Sequence, residues 1–132
     1  MMSIDTIGNF LTVMRNAMMV SKNSATVSYS KMRDGIASVL EKEGFIKEFK
    51  KHEDDSGKSY LTVYFKYFNG LPVIHEIKRV STPGRRSYEG LKKMTPVIGG
   101  LGVSILSTNV GIITDKEAKK LSVGGEVLCH VW

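Results

Sequence analysis

The stretch SKMRDGIASVLEKEGFIKEFKKHEDDSGKSYLTVYF, residues 30–65, decides the fold. Its first third has helical spacing: Met32, Ile36, Val39 and Leu40 recur at intervals that stack them on one face. Ser30 stands at the start of this helix, and Gly44 suits the left-handed backbone just past its end. The period then changes. Residues 45–52 alternate loosely between apolar and polar, and Asp54-Asp55-Ser56-Gly57 is a strong turn signal. Residues 60–68 are dense in aromatic and β-branched side chains, with Leu61, Val63 and Phe65 on one face. A helix that hands over directly to an antiparallel pair predicts an α+β fold.

Working outward, Ile7, Leu11, Met14 and Met18 form the buried stripe of an earlier helix. Ser3 or Asp5 can cap it, and Asn9, Thr12 and Asn16 share another face, with Arg15 beside them. Residues 25–29 read as a short strand between the helices. After residue 68, Asn69-Gly70 marks a turn, and residues 73–80 read as a third strand limited at its start by Pro72. The expected order of the first half is thus α-β-α-β-β-β.

Thr82-Pro83-Gly84 breaks the chain, so the expectation is an N-terminal lobe over 1–80 and a C-terminal lobe over 81–132. In the second lobe, Gly99-Gly100-Leu101-Gly102 leads into a buried strand over 103–107. Asn109-Val110-Gly111 turns it into 112–114. Thr114 with Glu117 fits a capping box for a short helix through Leu121. Gly124-Gly125 ends that unit, and residues 127–132 form a final strand. This lobe is expected to be mostly β with one short helix.

The composition suits such a chain. Its 132 residues are 42% hydrophobic and 24% charged, an ordinary globular balance. No apolar run reaches the length of about eighteen residues that a membrane helix needs. Asp5, Asn9, Arg15 and Asn16 interrupt the first twenty residues, so no signal peptide is read there. The single cysteine, Cys129, excludes a disulfide within the chain and favours a reducing compartment.

Catalysis finds little support. His52, His75 and His130 have no metal-ligand spacing, so neither a metal nor a cofactor is expected. Cys129 beside His130 resembles a nucleophile with its base, the basis of a rival reading as a small cysteine-dependent enzyme. On a strand, however, neighbouring side chains point to opposite faces. Cys129 is therefore expected to be a small core hydrophobe. The run Gly99–Gly102 lacks G-K-[ST] and is neither a P-loop nor a dinucleotide fingerprint.

Charge points elsewhere. The formal charge is +6, and the pI is near 9.5. Residues 71–132 carry nine basic and five acidic groups, against ten and eight in residues 1–70. Lys78, Arg79, Arg85, Arg86, Lys92 and Lys93 stand against Glu89 alone, with Tyr88 among them. Such a segment attracts phosphate and offers a flat ring to a base or sugar. Ser107-Thr108-Asn109, at a strand end, suits hydrogen bonding to a base edge or ribose hydroxyl. Gly124-Gly125-Glu126 would let a backbone approach closely, with Glu126 accepting from an exocyclic amine. Lys116, Lys119 and Lys120 are either a phosphate-facing edge or a solvated face.

One ordered series is more specific. It runs Ser81-Thr82-Pro83-Gly84-Arg85-Arg86-Ser87-Tyr88, Gly100-Leu101-Gly102, Ile105-Leu106-Ser107-Thr108, Thr114-Asp115-Lys116-Glu117-Ala118, Gly124-Gly125-Glu126-Val127 and Val131-Trp132. With Arg15-Asn16-Ala17 and Glu43-Gly44-Phe45-Ile46, it closely resembles the bacterial small-subunit ribosomal protein eight family over essentially the whole chain. The resemblance implies a two-lobe α+β, non-enzymatic protein that binds the central domain of small-subunit ribosomal RNA and organises it during assembly. It also suggests neighbouring small-subunit proteins as partners, and repression of the operon's own messenger RNA. It carries RNA contact onto Ser107, Thr108 and Tyr88, onto Gly124, Gly125 and Glu126, and onto Arg15 and Asn16. Asn109 and Val110 depart from the family's Ser-Thr-Ser pattern, although Asn109 can still hydrogen-bond. Arg85 is an added candidate for phosphate. The RNA-binding set is therefore Arg15, Asn16, Lys31, Arg85, Arg86, Tyr88, Ser107, Thr108, Asn109, Gly124, Gly125 and Glu126, with no catalytic residue, no metal and no membrane.

Overall fold

The structure, a computed structural model, describes residues 6–82, 88–89 and 102–132, with 88 and 89 described by backbone alone. The caps expected at Ser3 or Asp5, and Arg85 and Arg86, lie outside the described residues.

The chain divides into two compact units, one spanning residues 9–74, the other 75–132 together with the chain before Asn9. Helix α1 (Thr6–Met19), which belongs to the first unit from Asn9 on, contributes Phe10, Leu11, Met14, Ala17 and Met18 there as buried side chains. Strand β1 (Ser24–Ser28) follows, then α2 (Lys31–Lys42). The Ser30 side chain caps α2 by accepting from the Arg33 N–H at 3.1 Å, and Gly44 takes φ +80° past its end. Strands β2 (Ile46–Glu53) and β3 (Ser59–Phe65) form the hairpin, and β1 adds to β3, giving an antiparallel sheet of order β1-β3-β2. Helix α2 packs on β2 and β3. It buries Ile36, Ala37 and Leu40 in the unit whose sheet buries Ile46, Leu61, Val63 and Phe65. Alternation along β3 leaves Tyr60, Thr62 and Tyr64 on the other face. There Thr62 Oγ1 hydrogen-bonds Thr26 Oγ1 at 2.8 Å and His52 Nε2 at 3.0 Å.

The next segment departs from expectation. Strand β3 stops at Phe65, and β4 (Tyr67–Phe68) and β5 (Leu71–Pro72) make a separate small hairpin. Its turn holds Asn69 at φ 53° and Gly70 at φ 79°, a backbone these two residue types tolerate. The strand expected over 73–80 is reduced to β6 (Ile77–Arg79), and its partner is not the N-terminal sheet. It pairs with the last strand of the second unit. The division accordingly falls between Ile74 and His75, ahead of the expected 80/81 boundary. The physical reason is the hairpin at Pro72: the Val73 N–H returns to the Lys66 carbonyl at 2.9 Å, after which the chain leaves the first sheet.

In the second unit, β7 (Tyr88–Glu89), β8 (Val103–Thr108), β9 (Gly111–Thr114), α3 (Asp115–Leu121) and β10 (Gly125–Val131) complete the fold. Strand β10 is central: β8 lines one edge, and β6 and β7 share the other. All pairings are antiparallel. Helix α3 covers one face through Ala118, which packs with Leu106, Ile113 and Val127. Thr114 caps it, accepting from the Glu117 N–H at 3.2 Å, as the capping-box spacing predicts. The left-handed residue that ends α3 is Ser122, not one of the following glycines.

Candidate nucleic-acid interface

Strand β10 organises the candidate residues of the second unit. Glu126 stands opposite Tyr88 of β7 on one side and Ser107 of β8 on the other. Directly opposed residues of an antiparallel pair present their side chains on one face, so Glu126 and Ser107 are neighbours there. A bulge between Val127 and Cys129 shifts the register beyond this row. The row keeps Ser107 and Glu126 half-buried, while Leu106 and Val127 beside them are fully buried.

Gly125 is where a backbone comes close. A Cβ built there would lie 2.2 Å from the Ser107 carbonyl oxygen. The close approach this glycine permits is therefore that of the β8 backbone. Gly124, exposed, precedes it.

At the far end of β8 the hydroxyl of Thr108 shapes its own turn. It donates to the Gly111 carbonyl at 2.8 Å and accepts from the Val110 N–H at 3.2 Å. Its capacity for an outside partner is correspondingly reduced. Asn109 stands exposed at the tip of that turn, and Gly111 supplies φ 118°.

Sequence reasoning did not assign a role to Ser81. It is fully buried, and its Oγ donates to Glu126 Oε2 at 2.5 Å. The two are 45 residues apart in the chain, so no local spacing connects them. Nearby, the Arg79 guanidinium donates to the Leu128 carbonyl at 2.7 Å.

Arg15, Asn16 and Lys31 belong to the first unit. Arg15 is half-buried with its Nε covered. Asn16 is exposed and opens onto a groove of about 540 Å³ beside Val13, Ala17, Val20, Ser24 and Thr26. Lys31 is exposed in the first turn of α2, where a cation opposes the helix dipole. Its placement is thus not explained by helix stability. Lys116, Lys119 and Lys120 are all exposed on α3. On the first sheet, Lys50 and Lys58 lie over the rings of Tyr64 and Tyr60, 5.7 and 5.5 Å from their centroids.

Cys129 is fully buried, and desolvation pushes its thiol up to about 12 although the Arg79 charge pulls the other way. The thiolate needed for nucleophilic chemistry is thereby suppressed. Among the described residues no group of three or more His, Cys, Asp or Glu could hold a metal ion, and no helix is long and apolar enough to cross a membrane.

Comparison with known proteins gives a consistent result. The sequence profile described as Ribosomal protein S8 matches residues 5–132. The small ribosomal subunit protein uS8 of Saccharophagus degradans is 48% identical over 128 residues, covering 97% of each chain. That of Trichodesmium erythraeum is 47% identical, again covering 97% of each. The Thermus thermophilus protein of the same name is 46% identical, covering 99% of this chain and all of its own.

Proposed function

Since the chain belongs to the ribosomal protein S8 family, structural constituents of the small ribosomal subunit rather than enzymes, we propose that it binds the central domain of small-subunit ribosomal RNA directly and organises it during assembly. The observation that carries this reading is the row Tyr88, Glu126 and Ser107 across β7, β10 and β8. It brings residues 38 positions apart in the chain, at the extremes, into one strip with a hydroxyl beside a carboxylate. Short polar groups held by a sheet suit base edges and ribose hydroxyls, which need fixed geometry. The basic residues around Pro83 and Gly84 add long-range attraction for phosphate.

Arg15, Asn16 and Lys31 extend RNA contact to the first unit. A messenger RNA of the protein's own operon that presents the same folded element would be held by the same residues and its translation repressed. Neighbouring small-subunit proteins fit the exposed apolar side chains of Phe68 and Leu71 at the β4–β5 hairpin. The place of action on this reading is a cytoplasmic ribosome.

Footprinting on total small-subunit ribosomal RNA tests the reading, with protection expected at one central-domain site. A KCl titration should give a slope of about −3 in log K against log salt, corresponding to roughly four phosphate contacts. A slope near zero, or equal affinity for unrelated hairpins, overturns it.

A further inference from the structure

We infer that Ser81 is a positioning residue of the RNA site, fixing the Glu126 carboxylate as an oriented acceptor; the inference rests on the RNA-binding reading above. Ser81 is covered entirely by its own chain and cannot touch a ligand itself. Its hydroxyl donates to Glu126 Oε2 at 2.5 Å, the short distance of a charge-assisted O–H···O bond. Its backbone N–H donates to the Val127 carbonyl at 3.1 Å, and the Val80 N–H to that of Leu128 at 3.1 Å. The donor is thereby locked onto β10 from the main chain outward.

The chemistry explains why such a lock is useful. A carboxylate beside a polyanion is repelled by phosphate and accepts only from donors. On RNA those donors are exocyclic amines and ribose 2′-hydroxyls. An unrestrained glutamate has several rotatable bonds and would swing away from approaching phosphates. Held by the Ser81 hydroxyl, the carboxylate stays on the row it shares with Ser107, and a carboxylate accepts from more than one donor at once. Glu126 then favours RNA that seats a donor at this row and penalises RNA that brings a phosphate there. Ser81 should therefore govern discrimination and leave general attraction untouched.

The test uses the full chain, in-vitro-transcribed bacterial small-subunit ribosomal RNA, and total transfer RNA as the competitor class. Ser81→Ala should bind the ribosomal RNA about five- to tenfold more weakly, the loss expected of one buried hydrogen bond. Transfer RNA affinity should stay within about twofold of wild type. In a Glu126→Ala background, adding Ser81→Ala should change ribosomal RNA affinity by less than about twofold, because the interaction is already gone. Ser81→Thr and Ser81→Val have similar volume and differ in the hydroxyl. Thr should bind more tightly than Val by a comparable factor, whatever the added bulk does to folding. Equal loss in both backgrounds, or no separation between Thr and Val, overturns the positioning role. A wild type with no preference for ribosomal over transfer RNA overturns the RNA reading, and the role of Ser81 with it.

Discussion

Ser107 and Arg86 should fail differently when shortened. On the proposed RNA-binding reading, Ser107→Ala removes a hydrogen bond to RNA and should cost about 1–3 kcal/mol of cognate binding, nearly independent of salt. Arg86→Ala should weaken cognate and scrambled RNA alike and make the salt slope shallower by about one unit. Isotherms on both RNAs at two salt concentrations check the pair; equal flattening of the slope by both variants contradicts the division. Thr108→Ala should act mainly through its turn, since its hydroxyl already bonds Gly111 and Val110. Gly125→Ala should destabilise the second unit by roughly 1–3 kcal/mol in urea unfolding, because the new methyl meets the Ser107 carbonyl. Cys129 should resist alkylation at pH 8 until the protein unfolds. The fold favours its neutral thiol, so this contribution is present below the ordinary thiol range and lost as pH rises from there through about 12. The urea midpoint should thus fall more steeply at alkaline pH in the wild type than in Cys129→Ala. At this scale the donor and acceptor types of Ser107 and Glu126 were legible in the sequence, while their pairing across β8 and β10 was not. The roles of Gly125 and Ser81 were not, since each depends on a partner strand brought alongside by distant pairing.

Helices declared themselves more fully than strands. Ile7, Leu11, Met14 and Met18 are all buried as their spacing implies, and so are Ile36, Val39 and Leu40, while Met32 at the start of the second stripe is half-buried. A helix satisfies its own backbone, so its pattern is complete within one segment. Thr114→Ala should lower stability by about 1 kcal/mol by removing the α3 cap, measurable as a shift in urea midpoint. No shift would mean that packing of Ala118 alone holds the helix. Residues 73–80 show the opposite case. Their apolar character is consistent with a strand, yet nothing local says which sheet receives it. Pairing of β6 with β10 joins residues about 50 positions apart, and only the tertiary fold makes that choice.

Two units in one chain make truncation informative. A fragment over 75–132 keeps β6 and should fold and protect the same RNA region as the whole protein. A fragment over 82–132 loses β6, which pairs with Cys129–Val131 of β10, and Val80 and Ser81, whose N–H groups donate to Leu128 and Val127, and should be largely unfolded by circular dichroism. Tight RNA binding by the shorter fragment, or by a folded 9–74 fragment alone, overturns this assignment of affinity to the second unit. The central place of β10 also sets a timetable for synthesis. Everything needed for the sheet β1-β3-β2 has been made by Phe65, and that unit can settle while the rest of the chain is still being added. Strands β6, β7 and β8 each pair with β10, so each must wait, edge exposed, until translation reaches the end of the second unit. Of the two units the one proposed to bind RNA is thus completed later, and a nascent chain cannot present the strip on β10 until β10 itself has been made.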